Sequence, residues 1–220
     1  MAGIYIHIPY CKKLCSYCDF YHVIDPGDKK DCVEALLKEL HEMRDYLSGN
    51  TVSTIYFGGG TPSVLDPKEI GNIISTIIKQ YTIDDLPEIT VELNPDDINE
   101  EYARMLRDTG VNRVSLGVQS WSDNDLRLLG RRHNANQAEL ALAHCFKAGF
   151  DNLTIDLIYG IPGMTADQWR ANLRKSFTLP VKHLSAYHLT VEPGTIFGKM
   201  KEKGHFNEVD EEESTLQFNI

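Results

Sequence analysis

Cys11, Cys15 and Cys18 stand in the stretch Cys11-Lys12-Lys13-Leu14-Cys15-Ser16-Tyr17-Cys18-Asp19-Phe20, three thiols within one short loop. A chain segment this short wraps a single metal centre at little extra entropy of closure. Two chemistries use thiolates in such a setting. Structural zinc takes four ligands, commonly as paired Cys-x-x-Cys knuckles. No second knuckle or nearby Cys/His pair follows in this chain. Iron–sulfur clusters are also held by thiolates. Three thiolates on a four-iron cluster leave one iron open, much as a catalytic zinc keeps an open position. The remaining cysteines, Cys32 and Cys145, fall inside helical patterns and read as small, buried apolar side chains.

Other chemistry-bearing residues recur where apolar runs stop. Thr54–Phe57 runs into Gly58-Gly59-Gly60-Thr61-Pro62, and Glu92-Leu93-Asn94-Pro95 and Gly117-Val118-Gln119-Ser120 close two later runs. Asp156 precedes Gly160-Ile161-Pro162-Gly163, and the last run ends in Tyr187-His188-Leu189-Thr190. A carboxylate in a buried strand is costly unless it is paired, so Glu92 and Asp156 require partners. Consecutive glycines let the backbone approach a ligand closely. The glycine loop lacks the Gly-Lys-Ser/Thr ending of a nucleotide P-loop, which makes phosphate cradling a poor fit.

The elements that must position these residues follow from periodicity. Ile4, Ile6 and Ile8 alternate with Tyr5, His7 and Pro9, a strand with two unlike faces that turns Tyr5 and His7 towards the thiol loop. Further strands are expected at Thr54–Phe57, Glu88–Leu93, Arg113–Val118, Asn152–Ile158 and His183–Leu189. Helices are expected from about Lys29 to Leu47, then at Asp66–Tyr81, Glu100–Asp108, Ser122–Leu129, Gln137–Ala148 and Ala166–Phe177. Strand and helix alternate in six units, the pattern of an α/β protein with a mostly parallel sheet. It predicts a partial (β/α)6 TIM-like barrel, in which working residues sit where strands end and loops begin. An open doubly wound sheet is the alternative, weakened by the lack of Gly-x-Gly-x-x-Gly after the first strand. The core is expected to occupy residues 1–198, with 199–220 opening a further region. Asp210-Glu211-Glu212-Glu213 starts a helix in a dipole-favoured way, and the sequence stops at Ile220 without a C-terminal cap, as a truncated chain would.

The totals exclude some classes. The 220 residues carry a formal net charge of −10, with 42% hydrophobic and 25% charged residues, ordinary for a globular protein. That charge argues against a nucleic-acid partner, which rewards clustered Lys and Arg. No secretory signal and no membrane-spanning apolar run are visible in the sequence, so a cytoplasmic location is expected.

The Cys-x-x-x-Cys-x-x-Cys spacing, with Tyr17 before the third Cys, resembles the radical S-adenosylmethionine (SAM) family. Four further segments narrow the resemblance: Ile6–Cys11, Tyr56–Ser63, Leu116–Ser120 and Ile155–Pro162 look like the oxygen-independent coproporphyrinogen III oxidase branch. The resemblance implies a [4Fe–4S] cluster on Cys11, Cys15 and Cys18, with SAM chelating its open iron. It places Tyr5 and Tyr17 beside cluster and SAM, and Gly59, Gly60 and Thr61 on the methionine end. It implies Glu92, Gln119, Arg131, Asp156 and Thr190 as further SAM contacts. Where the oxidase pattern has a fourth Cys, this chain has Phe20, and few residues precede Tyr5. Together with Leu189–Thr195, these departures resemble the HemW group of heme chaperones. That kinship implies heme, or a porphyrinogen if the oxidase reading holds, as a further ligand. It also implies an electron donor such as flavodoxin or ferredoxin, and it allows a membrane-bound heme acceptor.

Overall fold

The computed structural model describes residues 2–24 and 27–220. In chain order its elements are β1 (Ala2–Ile8), the two-residue strands β2 (Tyr10–Cys11) and β3 (Val23–Ile24), α1 (Lys29–Glu42), β4 (Val52–Gly59), α2 (Pro67–Gln80), β5 (Ile83–Leu93) and α3 (Glu100–Asp108). They continue with β6 (Arg113–Gln119), α4 (Asp123–Leu128), α5 (Ala135–Lys147), β7 (Asn152–Tyr159), α6 (Ala166–Phe177), β8 (His183–His188), α7 (Ile196–Glu202) and α8 (Glu211–Phe218).

The large sheet has the order β1-β4-β5-β6-β7-β8, and every neighbouring pair is parallel. A doubly wound sheet reverses its order at a switch point. This one never does, so the partial-barrel reading holds and the doubly wound alternative falls. The sheet does not close, because β1 and β8 stand at its two ends and do not pair with each other.

Side-chain alternation divides the sheet into two chemistries. Ile55, Phe57, Val91, Val114, Leu116, Leu153 and Ile155 are fully or almost fully buried, and they share a core with Ile70, Ile73, Ile74 and Ile77 of α2. The intervening positions are polar: Tyr56, Thr90, Glu92, Arg113, Ser115, Thr154 and Asp156. The helix starts obey capping rules. Asp66 with Glu69, Asn134 with Gln137 and Thr165 with Gln168 each form a reciprocal capping box, with Pro67 in the first turn of α2.

The two-residue strands β2 and β3 were not anticipated, and three longer elements also differ from expectation. The first helix ends at Glu42, not near Leu47. Beyond it the bonds run three residues back, Tyr46 N to Met43 O and Ser48 N to Asp45 O, and Ser48 and Gly49 take φ of 49° and 77° to turn the chain into β4. The strand expected at Glu88 begins at Ile83. Ile83 pairs with Val52 and Glu88 with Thr54, so β5 carries a bulge through Pro87, where a missing N–H is tolerated. Helix α7 was not anticipated. It runs across position 198, and Phe197 buries itself there against Phe206, with ring centroids 4.3 Å apart. Among the described residues no helix is long and apolar enough to cross a membrane.

The sharing of α2 between core and solvent sets a stability expectation. Ile73→Ala, at a fully buried site, should cost about 2–5 kcal/mol through lost burial and a residual cavity. Ile78→Ala, on the exposed side of the same helix, should stay within about 0.5 kcal/mol. Urea unfolding of the two variants measures the difference.

Candidate functional site

The carboxyl ends of the strands surround a cleft of about 500 Å³. Cys11, Cys15, Tyr17 and Cys18 line it on one side, with Gly59, Gly60, Thr61, Glu92, Gln119, Arg131, Asp156 and Thr190 around the rest. These are the residues expected from the sequence, Tyr5 excepted. Tyr5 is 57% exposed and its hydroxyl lies 3.2 Å from His7 Nδ1, outside the cleft lining.

The cysteine loop is closed at its base by pairing of β2 with β3, where Val23 N donates to Pro9 O at 2.7 Å. Its middle is held from both flanks: Ser16 N donates to Leu129 O, and Phe197 N donates to Ser16 O, each at 2.9 Å. The loop is therefore positioned by α4 and α7 as well as by its own ends. Cys11 Sγ stands 3.3 Å from Thr61 Oγ1, and Arg131 Nη1 donates to Cys15 Sγ at 3.4 Å. Burial raises the Cys11 and Cys18 thiols above their ordinary range, opposed by Thr61 at Cys11 and by the Phe20 backbone at Cys18. A coordinated metal reverses that tendency, because a ligating thiol is deprotonated outright. Cys145 is fully buried, and burial pushes its thiol up to about 12, as suits an inert core residue. Cys32 is half-buried on α1.

The glycine loop has packing reasons of its own. Gly59 takes φ 110° with the His7 ring 2.6 Å from where a Cβ would sit, and a Cβ on Gly60 would meet Tyr10 O at 2.8 Å. Both glycines nonetheless open onto the cleft, so close backbone approach serves the fold and the cavity together.

Glu92 and Asp156 find the partners that burial demanded. Tyr56 Oη donates to Glu92 Oε1 at 2.7 Å, and Ser115 Oγ donates to the Asp156 carboxylate at 3.2 Å. Neither partner was picked out from the sequence. Their signal was register, since Tyr56 stands two residues before Gly58 on the same face and Ser115 two before Gly117. Arg131 is spread over several acceptors, with Nη2 donating to Asn94 Oδ1 at 2.7 Å and to Gly117 O at 2.9 Å. Its Nε is buried without a partner among the described residues. Gln119 holds φ 68°, a left-handed conformation unusual for a residue with a side chain. This marks the end of β6 as a position where geometry at the cleft outweighs local strain.

These features define a class: an open parallel α/β barrel with a thiol loop after its first strand and a polar cofactor cleft at the carboxyl rim. The sequence matches the Radical SAM superfamily over residues 5–175, and the chain belongs to that superfamily. Membership implies a [4Fe–4S] cluster and SAM. The chain is 38% identical to the heme chaperone HemW of Lactococcus lactis over 201 residues, covering 91% of this chain and 52% of that one. It is 33% identical to HemW of Bacillus subtilis over 224 residues, covering 100% of this chain and 59% of the relative. The structure of the radical SAM enzyme coproporphyrinogen III oxidase, HemN, from Escherichia coli superposes with a TM-score of 0.86 at 26% identity, covering 99% of this chain and 50% of that one. The chain thus spans about half the length of the curated relatives it matches.

The paired carboxylates generate a pH expectation. Burial raises Glu92, opposed by the Tyr56 hydrogen bond and reinforced by Asp156; burial also raises Asp156, opposed by Ser185 and Ser115. With the folded value above the unfolded one, the native state holds the extra proton. The stabilising contribution is present below the ordinary carboxyl value of 4.5 and is lost as pH rises through the folded value. Glu92→Gln keeps an oxygen for Tyr56 and removes the charge. It should melt above the parent protein at about pH 8 and lose that advantage by about pH 3.5 in thermal scans of the metal-free protein.

Proposed function

We propose that this chain is the radical SAM core of a heme-trafficking protein of the HemW type, holding a [4Fe–4S] cluster on Cys11, Cys15 and Cys18. The observation that carries the reading is convergence: three thiols on one loop face the same cleft as Gly59, Gly60, Thr61, Glu92, Gln119, Arg131, Asp156 and Thr190. The residues fit the implied groups. Half-buried thiols beside a guanidinium suit an anionic thiolate–iron centre, because Arg131 offsets charge at Cys15. On the opposite wall, carboxylates and amides suit the amine and hydroxyls of SAM. Bound here, the cluster and SAM would supply one-electron reductive chemistry at the sulfonium, which would draw on an external donor such as flavodoxin or ferredoxin. This chain's own residues bind and orient: Arg131 and Asn94 brace the Cys15 side, and Tyr56 and Ser115 fix the carboxylates. Heme as the trafficked ligand rests on kinship with the HemW relatives.

The oxidase reading stands second, favoured by the TM-score of 0.86 to HemN. Against it is Phe20, at the place of the oxidase pattern's fourth thiol. Its ring lines the cleft and is 69% exposed. An apolar ring can shield the site, but it neither transfers a proton nor ligates metal.

Three expectations follow from the site. Cys11→Ala, Cys15→Ala and Cys18→Ala should each abolish the cluster after anaerobic reconstitution, measured as iron and sulfide content. Cys32→Ala should retain it, and zinc without iron in the parent protein would defeat the assignment. Gln119→Gly fits φ 68° without strain and removes one amide. It should weaken SAM binding by roughly 3- to 10-fold, the worth of a neutral hydrogen bond of about 0.5–1.5 kcal/mol, with cluster content unchanged. Calorimetry on the reconstituted protein checks this. Finally, protein extended to the full length of its relatives should bind heme and release no carbon dioxide from coproporphyrinogen III. SAM-dependent decarboxylation that requires Cys15 would establish the oxidase function instead.

A further inference from the structure

Lys12, between two cysteines of the loop, is the partner of a buried carboxylate. Its Nζ lies 2.5 Å from Asp97 Oδ1, and the Asp97 side chain is 2% exposed while that of Lys12 is 44% exposed. Asp97 Oδ2 accepts from Ser63 Oγ at 2.9 Å, so both oxygens are engaged. Ser63 Oγ in turn accepts from Asn94 N at 3.0 Å, and Asn94 Oδ1 accepts from Arg131 Nη2 at 2.7 Å. Arg131 Nη1 reaches Cys15 Sγ at 3.4 Å. The contacts therefore run in a ring, from Lys12 beside Cys11, through Asp97, Ser63, Asn94 and Arg131, to Cys15. The turn Asn94–Asp97 thus ties together the thiol loop, the loop after β4 and the segment after α4, and its one ion pair adds to the β2–β3 pairing and the Cys11–Thr61 contact at the Cys11 end. A carboxylate this buried is costly unless its partners stay in place, so the pair fixes where the neighbouring thiol can stand.

We propose that Asp97 is a positioning residue for the cluster: through Lys12 it holds the Cys11 end of the loop in the ligating arrangement before the cluster is loaded and retains the cluster afterwards. The proposal rests on the cluster reading of Cys11, Cys15 and Cys18. It makes a demand that packing alone does not. Lys12 and Asp97 carry opposite charges beside the cluster, so removing one or the other must move its reduction potential in opposite directions, although both losses loosen the same loop.

The test compares Asp97→Asn, Lys12→Met and Lys12→Arg with the parent protein. Iron release to a chelator should be at least about fivefold faster in Asp97→Asn and Lys12→Met. It should stay within about twofold of the parent in Lys12→Arg, which keeps the cation. The potential should rise in Asp97→Asn, where an anion is lost, and fall in Lys12→Met, where a cation is lost. In the metal-free proteins, amide hydrogen exchange should quicken over residues 11–18 and stay unchanged in β5, β6 and β7. Unchanged iron release, potential shifts of one sign, or quickened exchange throughout the sheet would each overturn the proposal. Should Asp97→Asn fail to fold, Lys12→Met still decides, because the Lys12 head is half in solvent. If no variant, the parent included, takes up a cluster, the cluster reading falls by itself, and the exchange measurement separately decides whether the pair holds the loop.

Discussion

Curvature of a parallel sheet is the constraint on which everything else here depends. A sheet wound in one direction from β1 to β8 packs one face on helices such as α2 and leaves the other face polar. The outward positions fill with Ile, Val, Leu and Phe because they meet α2 and its fellows. The inward positions cannot be empty, and polar side chains there are costly unless satisfied. Tyr56 with Glu92, Ser115 with Asp156, and Arg113 with Thr90 and Thr154 at 3.2 and 3.0 Å form that lining. Chemistry in this fold is thus a use made of a face that the topology leaves bare.

The thiol loop lies on that lining without belonging to the sheet. Short loops with several small polar residues have little structure of their own, so the surroundings must supply it. Here the supports are backbone bonds to Leu129 and Phe197 and side-chain bonds through Thr61 and Arg131. They come from elements spread over most of the chain, which ties the arrangement of the thiols to the integrity of the whole barrel. Pre-organisation of this kind lowers the entropy lost when a ligand set closes on its metal.

Much of this was legible in the sequence, for identifiable reasons. Strict alternation in Ile4–Ile8 and the repeated apolar runs specified six strands. Asp66 followed by Pro67 marked a helix start, and the loop residues at the strand ends assembled at one rim because parallel strands place all their carboxyl ends together. The failures also have physical causes. Met43 to Leu47 continues a helical pattern, but the turn into β4 at Ser48 and Gly49 is a tertiary demand that no local periodicity carries. Pro87 concealed the first half of β5, because a bulged strand breaks the period of two. Helix α7 is short, and its signal is the burial of Phe197 against a ring nine residues on. Tyr5 shows the limit of facing arguments, since strand alternation turns it inward, yet at the open edge inward still means exposed.

The near identity of this fold to that of HemN, at a TM-score of 0.86 and only 26% sequence identity, bears on where function is decided. Sheet, cleft and thiol loop are common property of the superfamily, so they do not separate chaperone from oxidase. What can differ is the rim, where side chains meet whatever enters. In this chain Phe20 and Tyr187 line the cleft with exposed side chains, and β1 and β8, at the two ends of the sheet, do not pair. Aromatic faces favour a large planar ligand by stacking, here beside the exposed Asp19 carboxylate that also lines the cleft. On the proposed reading, discrimination between a tetrapyrrole that is carried and one that is altered falls to residues outside the shared fold, because the fold itself is common to both.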